Sequence, residues 1–330
     1  MLIEVSESSR TGEARRHAVA CAQQLRFKEE QCGAVAIATT ELATNLVKHA
    51  QNGRLMIQPI SQHGHSCLRV IAIDSGPGIP DISRAMNDGH STTGSMGSGL
   101  GAIRRLCDAF EIYSVTGIGT VIRADFWLGG TDPARHIPVE IGVVSEPIAG
   151  EEVCGDQWAI RVISNGMLIM IADGLGHGIL ANEAAQEATQ VLAQTRYLEP
   201  ASIVNEVHHA LKKTRGAAVA VAKLDCQKKL LVFAGVGNIS GNIVSPGSSR
   251  GLPSHNGTAG QHASRIQEFS YPWRSDDLLV MHSDGLASRW DMERYPGLLN
   301  KHASMIAAML HRDFSRRRDD VTVFVAKVFS

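Results

Sequence analysis

Ten residues, Gly129-Gly130-Thr131-Asp132-Pro133-Ala134-Arg135-His136-Ile137-Pro138, constrain the fold of this chain more than any others. They follow the apolar, strand-like run Val121–Trp127 with two glycines, two prolines and small polar residues. Proline removes a backbone donor and glycine adds backbone freedom, so neither strand nor helix continues through such a stretch. The full length of 330 residues also exceeds one ordinary core. The chain therefore reads as a domain over 1–130, a linker over 131–138 and a second domain over 139–330.

Composition narrows the classes of function. Apolar residues make up 44% and charged residues 20%, with 32 basic against 33 acidic side chains. A phosphate-backbone binder or membrane-surface protein shows a basic excess, and aromatic residues at 5% are too few for base-stacking platforms. Neither nucleic acid nor membrane is an expected partner. The six cysteines include no Cys-x-x-Cys pair and no Cys/His cluster at zinc spacing, as befits free thiols in a reducing compartment. The start, MLIEVSESSRTGEARR, has no apolar run after basic residues, and no stretch approaches ~20 apolar residues, so a cytoplasmic location is expected. The glycine- and serine-rich stretch from Ser245 to Gly260 reads as a long surface loop inside the second domain.

In the first half, Ala34 to Ala50 has helical content and period. Ala38, Leu42 and Leu46 share one stripe; Glu41, Asn45 and His49 share another. A carboxylate one turn from a carboxamide supplies an oxygen ligand and a water-orienting group for hydrated Mg²⁺, although an amphipathic helix with a wet face has the same pattern. Next, the strand Leu68–Ile73 runs into Asp74-Ser75-Gly76-Pro77-Gly78, a fixed turn against which a flat ring can lie while the carboxylate accepts from an exocyclic amino group. Then Gly94-Ser95-Met96-Gly97-Ser98-Gly99-Leu100-Gly101 opens a helix whose N-terminal amides are free to hold phosphates. No Gly-Lys-Ser/Thr closes it as in a Walker loop. Gly117-Ile118-Gly119-Thr120 follows.

The order and spacing of these motifs resemble the GHKL ATPase fold, and the wording ELATNLVKHA and GSGLGAIRRLCDAFEIYS is similar to the small serine kinases of bacterial stress partner-switching. The resemblance implies ATP with Mg²⁺. It places Asn45 on the metal, Asp74 on adenine, Gly76 and Gly78 at the base-binding turn, and Gly97, Gly99 and Gly101 around the phosphates. Glu41 would orient or deprotonate the acceptor hydroxyl, and Thr120 would help close the base pocket.

The second half holds acids at strand ends. Gly155-Asp156 lies in EEVCGDQWAI; Asp173-Gly174 ends the strand Met167–Ala172 and opens Asp-Gly-Leu-Gly-His-Gly; Asp284-Gly285 follows Leu278–Ser283; Asp319-Asp320 precedes VTVFVAKV. Each Asp-Gly alone describes a turn. Strand-terminal carboxylates that converge on one sheet edge would suit hard dications such as Mg²⁺ or Mn²⁺.

Taken in order, these motifs resemble the PPM-type metal-dependent serine/threonine phosphatases, in particular their short SpoIIE-like and Rsb-type forms. The likeness runs from about Val139 to Val328 and includes Gly235–Ile239 (GVGNI) on a middle strand. It implies Asp156, Asp173 and Asp284 as ligands and catalytic acids, with the Gly174 carbonyl beside them. Asp319 is the expected fourth acid, and Asp320 stays open because a one-residue slip swaps their faces. His177 is a candidate proton donor to the leaving oxygen, with a rim histidine as the plain alternative. No arginine near Asp156 is placed to hold phosphate; Arg316, Arg317 and Arg318 are substitutes or a solvated run.

The expected architecture is α/β in two domains. The first would be a GHKL α/β sandwich, a mixed sheet with helices Glu13–Leu25 and Ala34–Ala50 on one face. The second would be a PPM-type β-sandwich flanked by helices Ala181–Gln194, Ala201–Thr214 and Lys301–Arg312. By resemblance the partner would be a STAS-domain protein carrying phosphoserine or phosphothreonine, in a sigma-factor pathway or stressosome-like assembly. In the alternative, the first domain only binds ATP and a partner and transfers no phosphate.

Overall fold

Both faces of the strand Gly166–Gly174 are apolar, and this requires cover on each side. The computed structural model describes residues 1–62, 65–86, 99–130, 139–263 and 266–328, and divides into two compact units, Met1–Arg135 and His136–Ser330.

The first unit runs β1 (Leu2–Glu4), α1 (Ser8–Gln24), α2 (Glu29–His49), β2 (Arg54–Gln62), β3 (His65–Asp74), the short α3 (Ile82–Ala85), α4 (Leu100–Leu106), β4 (Ala109–Val115) and β5 (Gly119–Trp127). The strands form one sheet in the order β1-β2-β3-β5-β4. Each of its pairings is antiparallel, which corrects the expectation of a mixed sheet. The connections explain two of the four pairings: β2–β3 and β4–β5 are short hairpin links, and these can join only antiparallel neighbours.

Alanines from α1 (Ala14, Ala18, Ala22) meet Ala38, Leu42 and Leu46 of α2, and both helices cover Leu55, Ile57, Leu68, Val70 and Ala72 of the sheet. The apolar stripe read from the sequence is thus the buried face. Both helices begin about five residues earlier than expected. Glu29 and Glu30 in the first turn of α2 complement the helix dipole, and this offsets the helix cost of Gly33. On the sheet, Arg69 binds Asp125 through two 2.8 Å hydrogen bonds, and Arg123 adds a third at 3.1 Å.

The second unit runs β6 (Val139–Glu146), β7 (Asp156–Ile163), β8 (Gly166–Gly174), α5 (Ile179–Gln194), α6 (Pro200–Ala210), β9 (Ala217–Asp225), β10 (Leu230–Val236), β11 (Ser240–Ser245), β12 (Ser248–Leu252), β13 (Phe269–Pro272), β14 (Leu278–His282), α7 (Ala303–Phe314) and β15 (Val321–Val328). Two antiparallel sheets form, β13-β10-β9-β8-β7 and β12-β11-β14-β15-β6. Met167, Ile169 and Ile171 of β8 join Leu279, Met281 and Phe324 of the other sheet in a shared core. Leu168, Met170 and Ala172, one residue out of phase, pack under α5 and α6. The period of two thus sets a sheet between a second sheet and two helices.

Two details depart from the sequence reading. The expected loop from Ser245 to Gly260 contains β12, a strand paired with β11 through a hairpin closed by Pro246-Gly247. Its serines and glycine are exposed at a sheet edge, so no apolar alternation announces it. Of Gly235–Ile239 only Gly235 and Val236 lie on a middle strand, β10. β10 ends at Val236, and the next residues turn towards β11.

Candidate functional site

The antiparallel register of β7 and β8 sets Asp156 directly opposite Asp173. Asp156 is 1% exposed, and its Oδ2 accepts a 2.6 Å hydrogen bond from Ser283 Oγ, at the end of β14 in the other sheet. The amide of Thr322 in β15 donates to the same Ser283 hydroxyl at 2.9 Å. One serine therefore ties β7, β14 and β15 together, and the acids flanking these strands are Asp156, Asp284 and the Asp319-Asp320 pair. Asp284 Oδ2 accepts from Asn238 Nδ2 at 2.7 Å, so the turn after β10 fixes the third acid.

Electrostatics bind the group together. Burial, followed by repulsion from Asp156, Asp284, Asp319 and Asp320, pushes the Asp173 carboxyl up to about 9. Burial raises Asp156 to about 7, against the hydrogen bond from Ser283 and the nearby Thr322 hydroxyl. Asp284 is raised by burial and then by Asp319, with Arg316 acting in the opposite direction. Removing a carboxylate from water disfavours its charge, and like-charged neighbours add to the effect.

A dication fits this group. Nothing among the described residues hydrogen-bonds to the buried Asp156 Oδ1 or Asp320 Oδ2, and acceptor oxygens so placed suit a positive charge. Among the described residues, no three His, Cys, Asp or Glu side chains close to direct ligand spacing.

Asp319 and Asp320 part company. Asp319 is exposed, accepts from the Asp320 amide at 2.9 Å and acts on Asp156, Asp173 and Asp284. Asp320 is 3% exposed, accepts from the Ile148 amide at 2.9 Å, and sets Oδ2 beneath Gly155. Gly174 is fixed by close approach: a Cβ there would lie 1.9 Å from the Ala181 carbonyl of α5. His177 stands at the rim, its Nδ1 2.6 Å from Glu151 Oε1. Arg316, Arg317 and Arg318 are exposed, and of these Arg316 acts on Asp284. Sequence reasoning missed Ser283, Asn238 and Glu151. Ser283 adjoins Asp284-Gly285 and Asn238 lies within GVGNI, both motifs already singled out, whereas Glu151 carries no such signal.

In the first unit, Asp74 ends β3 opposite Thr120 of β5. Its Oδ1 accepts from the Gly76 amide at 2.6 Å. Gly78 has φ +74°, and a Cβ on it would lie 2.4 Å from the Val115 carbonyl. Ser114, unremarked in the sequence, holds the turn: its hydroxyl is 2.8 Å from Thr120 Oγ1 and accepts from the Ile79 amide at 2.7 Å. Glu41 and Asn45 are half-buried on one face of α2, and His49 is exposed. Gly99 caps α4 and Gly101 is buried in its first turn. Gly97 lies outside the described residues, as does the expected linker 131–138. A strand-end carboxylate beside a rigid turn fits an amino-bearing ring, so the residues present suit adenine.

Residues 164–329 match the family model of stage II sporulation protein E (SpoIIE), and residues 5–126 match that of the histidine kinase-like ATPase domain. The serine/threonine-protein kinase RsbT of Bacillus subtilis is 42% identical over 107 residues, 32% of this chain and 80% of RsbT. The phosphoserine phosphatase RsbX of the same organism is 23% identical over 182 residues, 54% of this chain and 89% of RsbX. A solved chain from work on the bacterial stressosome, a modular system adapted to control secondary messenger signalling, superposes with a TM-score of 0.54 at 26% identity, covering 57% of this chain and 99% of its own. RsbX in complex with magnesium shares the fold at a TM-score of 0.52, covering 58% and 95%, with 22% identity. The chain therefore belongs to the SpoIIE family, with a histidine kinase-like ATPase domain akin to RsbT fused ahead of its SpoIIE domain.

Proposed function

We propose that the second unit removes phosphate from serine or threonine of a protein partner, and that the first unit binds ATP with Mg²⁺ and phosphorylates a partner of the same kind. The observation that carries the phosphatase reading is the buried carboxylate group itself: Asp156 and Asp173 face each other, both are raised, and Asp156 Oδ1 is unpartnered. Asp156, Asp173, Asp284, Asp319 and the Gly174 carbonyl are the assigned ligands of Mg²⁺ or Mn²⁺, and the buried, unpartnered Asp320 Oδ2 adds negative charge to the group or takes the place of Asp319. Such ions, when bound, supply a hydroxide nucleophile at neutral pH and charge to offset the phosphoryl oxygens. Ser283 and Asn238 orient two of the acids, and His177, in contact with Glu151, is the assigned proton donor to the leaving oxygen.

In the first unit Asn45 is assigned to the metal, Asp74, Gly76, Gly78 and Thr120 to the base, Gly97, Gly99 and Gly101 to the phosphates, and Glu41 to the acceptor hydroxyl. The relatives named for kinase and phosphatase activity support a phosphorylated STAS-domain protein as the partner and a sigma-factor or stressosome-like pathway as the setting. Cytoplasmic action accords with this reading, and no helix among the described residues is long and apolar enough to cross a membrane.

Incubating the full chain with γ-labelled ATP and a STAS-domain protein tests the first unit. Labelling that disappears in Glu41→Ala is expected. Absence of labelling in the wild type would leave ATP and partner binding as that unit's role. Release of label from a phosphoserine-bearing STAS protein in Mn²⁺ tests the second unit, and no release would remove the phosphatase reading.

A further inference from the structure

Ten large apolar side chains are exposed among the described residues, and four of them flank the acid group. Leu175 (50%), Ile179 (67%) and Leu180 (50%) lie within six residues of one another on the segment leading from Asp173 into α5. Val153 (36%) lies on the facing segment that leads into Asp156. Single exposed leucines need no explanation, but a group beside a reactive centre does.

The fold of this unit does not use these side chains. α5 buries Ala181, Ala184, Ala185, Ala188 and Leu192 against the sheet, and Ile179 and Leu180 stand at its exposed first turn. The two segments are nevertheless held in place: His177 Nδ1 meets Glu151 Oε1 at 2.6 Å, and Asn182 Nδ2 donates to the Cys154 carbonyl at 2.7 Å. A fixed apolar surface thus borders the only chemistry assigned to this unit. Between Leu175 and Asn182 the sole titratable side chain is His177.

Resting on the phosphatase reading, we infer that Val153, Leu175, Ile179 and Leu180 form a docking rim for the protein substrate and select a phosphoserine or phosphothreonine flanked by apolar side chains. A phosphoresidue that reaches the acids past the start of α5 must lay its neighbours on the segments that carry Val153, Leu175, Ile179 and Leu180, whereas the exposed Arg316, Arg317 and Arg318 stand on a separate segment before Asp319. Burial of apolar area is non-directional, so the rim discriminates by hydrophobicity and accepts varied sequences. A small phosphate ester has no flanks to place there and gains nothing from it.

The test uses the full chain with Mn²⁺, two phosphoserine peptides that differ only in Leu/Ile against Ser/Asn flanks, and p-nitrophenyl phosphate. Wild-type kcat/KM is expected to favour the apolar-flanked peptide about tenfold, the effect of roughly one buried aliphatic side chain. The double variant Ile179→Ser, Leu180→Ser should lose that preference while p-nitrophenyl phosphate hydrolysis stays within about twofold. Equal turnover of the two peptides by the wild type overturns the rim, and this outcome needs no variant. An unchanged preference in the double variant also overturns it, as does a shift in that variant from dimer to monomer with the preference intact, which would make the patch a contact between copies. Failure of the wild type to hydrolyse any of the three substrates would instead remove the phosphatase reading, and the rim with it.

Discussion

Ser283 Oγ and Asp156 Oδ2 meet at 2.6 Å although 127 residues separate them in sequence. The bond crosses between the two sheets of the second unit, from the end of β14 to the start of β7. The same hydroxyl accepts from the Thr322 amide, so a single side chain aligns three strand ends that carry or flank acids.

Replacing Ser283 with alanine should therefore weaken metal binding more than it weakens the fold. Groups that orient ligands typically govern metal affinity by about 10–100-fold. Orphaning the Thr322 amide should cost about 1–3 kcal/mol of stability. Mn²⁺ titration calorimetry and thermal unfolding of Ser283→Ala check the two effects separately.

The acid group makes the metal-free protein sensitive to alkali. Asp156 and Asp173 are raised to about 7 and about 9, so the folded state holds protons that the unfolded chain releases near pH 4. This contribution to stability is complete below pH 4 and is lost as pH rises through 7 and then 9. Thermal unfolding in chelator should show a lower midpoint at pH 8.5 than at pH 6. Mn²⁺ should restore more at the higher pH, where binding displaces fewer protons.

At the base-binding turn, Gly78→Ala should damage nucleotide binding. Its φ of +74° disfavours any Cβ, and the Val115 carbonyl occupies that space at 2.4 Å. Strain of this kind costs about 1–3 kcal/mol. Alanine at Gly99 would meet no atom of the described residues within 4 Å. Calorimetric ATP binding should be weakened at least tenfold by Gly78→Ala and less by Gly99→Ala.

The 2.6 Å contact between Glu151 Oε1 and His177 Nδ1 leaves Nε2 of the proposed proton donor unengaged by Glu151. Glu151→Gln should lower turnover of a phosphoserine peptide by about tenfold or more, since serine leaves as a poor anion. p-Nitrophenolate departs without a proton, so hydrolysis of its ester should change little. Equal losses on both substrates would give Glu151 a purely structural role.

Much of the fold was legible in short-range pattern. The stripe Ala38, Leu42, Leu46 is a buried helix face, and the run VTVFVAKV is β15 without a residue's difference. Asp156, Asp173 and Asp284 were legible as strand-end acids because each follows or opens a long apolar run. The parts that escaped depend on register and tertiary contact. Asp156 faces Asp173, and Asn238 reaches Asp284, only after the strands pair. β12 was hidden because an exposed edge strand of serine and glycine has no buried face to mark it. Sheet polarity in the first unit follows from which strands are joined directly, and the helical insertions between β3 and β4 obscured that.

Hydrolysis of p-nitrophenyl phosphate across a Mn²⁺ titration, in the wild type and in Asp173→Asn, tests the central claim most directly. Saturable, Mn²⁺-dependent turnover in the wild type that falls at least a hundredfold in the variant is the expected result. Turnover indifferent to Mn²⁺, or retained in Asp173→Asn, would contradict the assignment of these carboxylates to a metal centre.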